Sequence, residues 1–318
     1  MRTLIRRAVK GSLRPGWSAT LEIMTAYMRQ IEWDIFRMPT PHQQRQYADA
    51  LTVASPALAK VRVSRIDTEK IKGHWIVPRD SQSKITILYL HGGGYAFSSR
   101  AHENLIAYVT LATNARTFAL DYPLAPENPF PAQQQCALSA YRWMLESGVD
   151  PQHLVIVGDS AGGNLALSLL LALRDSSSPM PALTVGLCPW VDITCSGASM
   201  ITNQASDWIA KSMAVQWGKW FSEGSDPNAP MLSPIHADLR GLSPLYIQAG
   251  GGEILVDQIR EFVRRAREQG AIIFYDEWEH MPHDFQAYGE TLTQAVEALA
   301  ALASAVDKHT TEVQVHAH

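Results

Sequence analysis

The chain predicts an α/β fold: a mostly parallel sheet of about eight strands, flanked by helices and topped by a helical cap. Three observations carry this. From Lys84 onward, short apolar runs alternate with stretches of helical periodicity. The runs HLVIVGD, ALTVGLC and PLYIQAG lack the in-out alternation of half-exposed strands, as strands buried on both faces do. The 318 residues, 46% hydrophobic and 18% charged, suffice for one large domain with an insertion or a small second domain.

The chain opens on MRTLIRRAVKGSLRPGWS, which is basic but lacks the continuous apolar stretch of a signal peptide. It reads as a leading segment of the mature protein. Leu21, Met24, Met28, Ile31 and Ile35 recur at helical spacing, and Pro39 and Pro41 end that helix. A weaker helical stretch runs to about Ala59, so residues 1–60 form an N-terminal helical cap segment. VRVSRI and KGHWIVP follow as strands around a polar turn.

The alternation then runs in order. KITILYL is a strand, AHENLIAYVTLAT a helix, ARTFALDY a strand, and Gln133–Glu146 a helix. HLVIVGD is a strand, AGGNLALSLLLALRD a helix, and ALTVGLC a strand. PLYIQAG, the helix EILVDQIREFVRRAREQG, the strand AIIFYDEW and a helix from about Asp284 to Val306 complete a catalytic domain over 61–306. Right-handed crossovers bring the strand C-terminal ends to one edge, where open α/β sheets bind ligands. Between Cys188 and Pro244 the alternation stops. Ser206–Phe221 reads as a helix with Trp208, Met213, Trp217 and Trp220 near one face. A cap insertion at about 196–230 is therefore expected over that edge. Residues 307–318 are a polar tail expected to fray. Its His309, His316 and His318 suit a disordered end better than a metal site.

Composition narrows the function. A net charge of −4 without a basic block argues against nucleic acid. No run reaches the roughly 18 apolar residues of a membrane span. Cys136, Cys188 and Cys195 have neither metal-ligand nor CxxC spacing and suit a reducing compartment, so a cytoplasmic location is expected. No cofactor or metal is implied.

Chemistry concentrates in two motifs. Gly158-Asp159-Ser160-Ala161-Gly162 matches GxSxG between an apolar strand and a long helix, as a nucleophile elbow requires. The turn brings the backbone close to itself, so Gly158 and Gly162 lack side chains for steric reasons. The plainer alternative is a small-residue turn with no chemistry. His91-Gly92-Gly93-Gly94 follows the strand KITILYL. Its glycine N–H groups, with that of Ala161, are candidate donors for an oxyanion hole. A flexible turn or a phosphate cradle are the alternatives, but neither GK[ST] nor GxGxxG is present.

HGGG upstream of GDSAGG resembles the hormone-sensitive-lipase-like esterases, a group of α/β-hydrolases. DYPLAPENPFPA, from Asp121 to Ala132, is similar to that family's DYRLAPEHPFPA, with Pro123 in place of arginine. CPWVDIT at Cys188–Thr194 and the segment Asp226–Ile235 also look like family landmarks. The resemblance spans about residues 60 to 305. It implies an α/β-hydrolase fold and the chain order serine, acid, histidine.

His283, in HDF, matches the family's HGF histidine, with His280 a loop residue beside it. Imidazole suits proton transfer at neutral pH. The family's acid is usually an aspartate just after the strand before the last. Aligning strand ends puts Glu253 there, about 30 residues before His283; Asp257 one helical turn later is the alternative. Asp159 reads as a locally bonded residue and Glu127 as a support beneath the oxyanion loop. Met24, Tyr27, Met28, Trp33, Trp208 and Trp217 either line an acyl pocket or only pack helices. The expected function is hydrolysis of short- to medium-chain carboxylic esters through an acyl-enzyme, on a small-molecule ester substrate. A homodimer is compatible with the sequence. A lactonase or deacetylase on the same triad, an interfacial lipase and a non-catalytic receptor are the other readings, the last needing a missing triad member.

Overall fold

The computed structural model describes residues 2–98 and 100–311. Its centre is a sheet of eight strands: β1 Val61–Asp67, β2 Lys72–Pro78, β3 Thr86–Leu90, β4 Arg116–Leu120, β5 Leu154–Asp159, β6 Leu183–Leu187, β7 Leu245–Gly250 and β8 Ile273–Trp278. The order across it is β1-β2-β4-β3-β5-β6-β7-β8. β1 pairs antiparallel with β2, and β2 with β4; every later pairing is parallel.

The two-residue period of a strand explains how both faces become core. Ile87, Tyr89, Val155, Val157 and Val185 face the helices Arg100–Thr113 and Thr293–Thr311. Leu88, Leu90, Leu154, Ile156 and Ile247 face Ala132–Glu146, Ser160–Asp175 and Val256–Glu268. Each such aliphatic side chain contributes about 1.5–3 kcal/mol by burial. This is why the runs read as apolar throughout.

The first sixty residues fold as helices Arg2–Lys10, Ala19–Phe36 and Pro41–Leu51, then a 3-10 turn Pro56–Lys60. Ser18 caps the second helix by accepting the Leu21 N–H, and Pro41 opens the third, where no N–H is needed. The basic start has a partner: Arg6 and Arg7 grip buried Glu22 at 2.6 and 2.5 Å, and Leu13 N–H adds 2.7 Å. These helices lie against the strand C-terminal edge. Trp17 Nε1 donates to the His280 carbonyl at 2.8 Å, and Arg29 Nε to that of Asp207 at 2.7 Å.

Four expectations are corrected. The helix expected over Ser206–Phe221 begins only at Lys211 and ends at Ser222, because the Asp207 carboxylate draws the preceding backbone into a loop. Trp208 therefore lies outside it. The helix after β7 starts at Val256, since Glu253 folds back to accept the Gly250 N–H at 3.0 Å. Asp284 is not the start of a continuous helix. A 3-10 segment Phe285–Thr291 with Gly289 at φ +50° separates it from Thr293–Thr311. That last helix continues past Asp307, and His309 is part of it, with Nδ1 2.8 Å from the Ala305 carbonyl. His316 and His318 lie outside the described residues. No helix among the described residues is long and apolar enough to cross a membrane.

Candidate active site

β5 gives way directly to the helix Ser160–Asp175, and Ser160 takes φ +51°. That left-handed conformation is strained for a residue with a Cβ and is characteristic of functional turns. The tightness of the turn fixes its glycines. A Cβ on Gly158 would overlap the Gly162 carbonyl, and one on Gly162 would overlap the Leu90 carbonyl oxygen on β3. Ser160 is thus held at the edge of the sheet, at the positive end of a 16-residue helix.

The sheet order places its partners. β7 and β8 follow β6 on one side of β5, and their C-terminal loops carry Glu253 and His283. His283 Nε2 lies 2.9 Å from Ser160 Oγ, and Nδ1 lies 2.6 Å from Glu253 Oε2. All three are buried: Ser160 is 8% exposed, His283 1% and Glu253 0%. The carboxylate orients the ring so that Nε2 faces the hydroxyl, the geometry in which imidazole accepts a serine proton. Asp257 is not brought to the histidine; its carboxylate accepts the Ser199 N–H at 2.8 Å and faces Arg260. His280 points away toward Glu279.

Two acids missed in the sequence complete this cluster. Asp207 is fully buried, and its carboxylate accepts the N–H groups of Trp208 at 2.8 Å, Ile254 at 2.7 Å and His283 at 3.1 Å. It fixes both loops that carry Glu253 and His283. Burial pushes its carboxyl up to about 6 against the pull of His283. Asp284 occupies a left-handed position, φ +45°, where the family has glycine, and its Oδ2 lies 3.2 Å from His283 Nε2. Burial disfavours charge on His283, but Asp284, Glu253 and Asp207 outweigh it and push the imidazole up to about 10.

On the other side of β5, the loop after β3 supplies the glycines. Here one expectation is corrected. Gly92 N–H donates to Asp159 Oδ2 at 3.0 Å and is not free for an oxyanion. Asp159 is accordingly more than a locally bonded residue, since it also accepts from Tyr89 at 2.8 Å and pins the loop. The N–H groups of Gly93 and Gly94 make no hydrogen bond among the described residues, and Ala161 N–H lies in the first turn of its helix, where no carbonyl partner exists. Glu127 reaches the loop only indirectly, through Arg45, which it pairs at 2.7 Å and which donates to the Ala96 and Ala125 carbonyls.

Above Ser160 lies a cavity of about 140 Å³. Met28, Trp208 and Trp217 line it with Ile35, Phe97 and Ile209. Met24 does not, and is partly buried elsewhere on its helix. Tyr27 is exposed, and Trp33 packs edge-on against Phe36. Trp208 Nε1 also donates to the His283 carbonyl at 2.5 Å. The ligating atoms of Cys188, Glu253 and His283 lie within 4.8 Å of one another. The carboxylate and imidazole already bond each other, and burial pushes the Cys188 thiol up, so these residues suit a triad with a neighbouring thiol better than a metal site.

Hydroxyl, imidazole and carboxylate in line at the edge of this sheet define a hydrolase of the α/β type. Residues 87–287 match the model of a family described as alpha/beta hydrolase fold. An acetyl-hydrolase of Streptomyces hygroscopicus is 38% identical over 227 residues, 71% of this chain and 76% of that protein. An esterase of Acinetobacter venetianus is 30% identical over 266 residues, 83% and 88%. The crystal structure of an esterase from the bacterial hormone-sensitive lipase family superposes with a TM-score of 0.85 at 32% identity, covering 93% of this chain and 99% of that one. EstE5 soaked with p-nitrophenyl butyrate gives 0.78 at 31%, covering 97% of each. The chain belongs to the α/β-hydrolase family and, within it, to the hormone-sensitive-lipase-like esterases. It is a carboxylic-ester hydrolase.

Proposed function

We propose that the chain hydrolyses short- to medium-chain esters through an acyl-enzyme on Ser160. The observation that carries this is the Ser160–His283–Glu253 line, at 2.9 and 2.6 Å. Ser160 Oγ attacks the ester carbonyl as its proton passes to His283 Nε2. The N–H groups of Gly93, Gly94 and Ala161 stabilise the oxyanion. The carbon–oxygen bond to the alcohol then breaks, and Nε2–H protonates the leaving alcohol. Water attacks the acyl group with its proton going to Nε2, and Ser160 is released with the free acid. Glu253 holds the ring and stabilises the imidazolium. The compact cavity, the acetyl-hydrolase relative and the butyrate ester soaked into a structural neighbour favour small acyl groups. The cap over the cavity consists of the N-terminal helices and the segment from about 196 to 230. Three free cysteines support a reducing, cytoplasmic setting.

The test is hydrolysis of p-nitrophenyl esters from acetate to laurate, with Ser160→Ala as control. Turnover is expected to peak at the short end and to fall roughly 10⁴-fold or more in the variant, with its melting unchanged. Near-normal turnover in the variant would overturn the reading.

A further inference from the structure

Most walls of the cavity over Ser160 are apolar, yet three carboxyl side chains line it among the described residues: Glu32, Asp159 and Asp284. Asp159 is satisfied by Tyr89 and Gly92. The other two are not. Glu32, on the helix Ala19–Phe36, forms no hydrogen bond or ion pair among the described residues. Asp284 is 6% exposed; its Oδ2 meets His283, but its Oδ1 is buried without a partner. No lysine or arginine lines the cavity among the described residues; its basic groups are His102 and His283.

A carboxylate enclosed as Asp284 is, with one oxygen buried and unpartnered, is unfavourable until a cation or donor meets it, and half-buried Glu32 lines the same cavity with no partner of its own among the described residues. Phe97, Trp208 and Trp217 supply aromatic walls, whose faces attract cations. The geometry also says which half of the ester bears the charge. His283 Nε2 hands its proton to the leaving alcohol, and Asp284 lies 3.2 Å from that nitrogen, so Asp284 flanks the alcohol.

We propose that the cavity holds a cation subsite, in which Asp284 and Glu32 receive an alkylammonium group carried on the alcohol of the ester. The inference rests on the ester-hydrolase reading and deepens it by naming a substrate class, esters of amino alcohols. Burial pushes the Glu32 carboxyl up to about 7, against the pull of His283, and holds Asp284 well above the usual carboxylate range. A bound cation reverses both, so its binding expels protons and strengthens as pH rises toward neutrality.

The experiment compares two esters of the same shape: 2-(dimethylamino)ethyl acetate, protonated at about pH 7, and the uncharged 3-methylbutyl acetate. Calorimetric titration into the Ser160→Ala variant reads binding without turnover. The charged ester is expected to bind at least about tenfold more tightly. That preference is expected to shrink below about threefold when Glu32→Gln or Asp284→Asn is added, and to survive Glu32→Asp, which keeps the charge. Thermal melts establish that each variant is folded. Equal affinities, preference for the uncharged ester, or a preference untouched by both neutral substitutions would overturn the subsite. Failure of the ester-hydrolase reading would appear separately, as absence of p-nitrophenyl acetate cleavage by the unsubstituted chain.

Discussion

Asp284 Oδ2 and Ser160 Oγ share one nitrogen: both lie against His283 Nε2, at 3.2 and 2.9 Å. An acidic neighbour there favours the imidazolium, which cannot act as base. Asp159, Asp207 and Glu253 face the same pair, and Glu32 and His102 line the same cavity. Because the groups are close, the proton they take up belongs to the pair.

His283 is raised, so its neutral fraction declines as pH falls through a value above the ordinary 6.5. The acidic limb of kcat/KM is expected above 6.5, giving an enzyme most active at alkaline pH. Asp284→Asn removes a negative neighbour and should move that limb down by about a unit or more. A pH series of p-nitrophenyl acetate kinetics checks both. A wild-type limb at or below 6.5, or one that Asp284→Asn leaves in place, contradicts this account.

Glu253→Gln is expected to lower kcat at least about 10²-fold with little change in KM, since the bond that fixes the imidazole tautomer is lost. Asp257→Asn should cost less than about tenfold, because its carboxylate serves Ser199 and Arg260 instead. Steady-state kinetics on both variants decide the matter. A crippled Asp257→Asn beside a healthy Glu253→Gln would reverse the assignment.

Gly94 has φ +60°, and a Cβ there would stand 2.5 Å from Trp217 Cε3. Gly94→Ala should therefore displace the oxyanion loop and reduce kcat about 10²-fold. Adding Trp217→Ala opens the space but leaves the left-handed backbone, so recovery should be partial. Full activity in Gly94→Ala would show that its N–H has no part in the reaction.

Met28 lines the cavity and Met24 does not. Met28→Ala should shift preference toward longer acyl chains, whereas Met24→Ala should leave the chain-length profile unaltered. Rate profiles over acetate, butyrate, hexanoate and octanoate distinguish them; identical shifts in both variants would deny the pocket this wall.

The sequence disclosed what periodicity and steric necessity encode. All eight strands could be read from apolar runs, and Ser160 with its elbow glycines from a GxSxG set between a strand and a long helix, whereas His283 was read from the resemblance of HDF to the family's HGF. Glu253 was found by its place after β7, although the strand ends at Gly250 and the side chain reaches back through a turn. Asp207 was invisible: it lies amid a stretch patterned like a helix, and its three N–H partners come from residues 208, 254 and 283. Gly92 looked like an oxyanion donor because nothing local reveals that Asp159 engages its N–H. Asp284 did leave a trace, an acid in HDF where the family has HGF, but its conformation and neighbours required the fold.

Arg29 donates to the carbonyl of Asp207, whose side chain in turn holds His283 and Ile254. The helix Ala19–Phe36 is therefore bonded to the same residue that positions the base. On heating, a loosening of that helix reaches the reacting atoms while the buried sheet is still folded. Inactivation should thus precede unfolding: residual turnover measured during a melt should decline several degrees before far-ultraviolet ellipticity does, and recover on cooling.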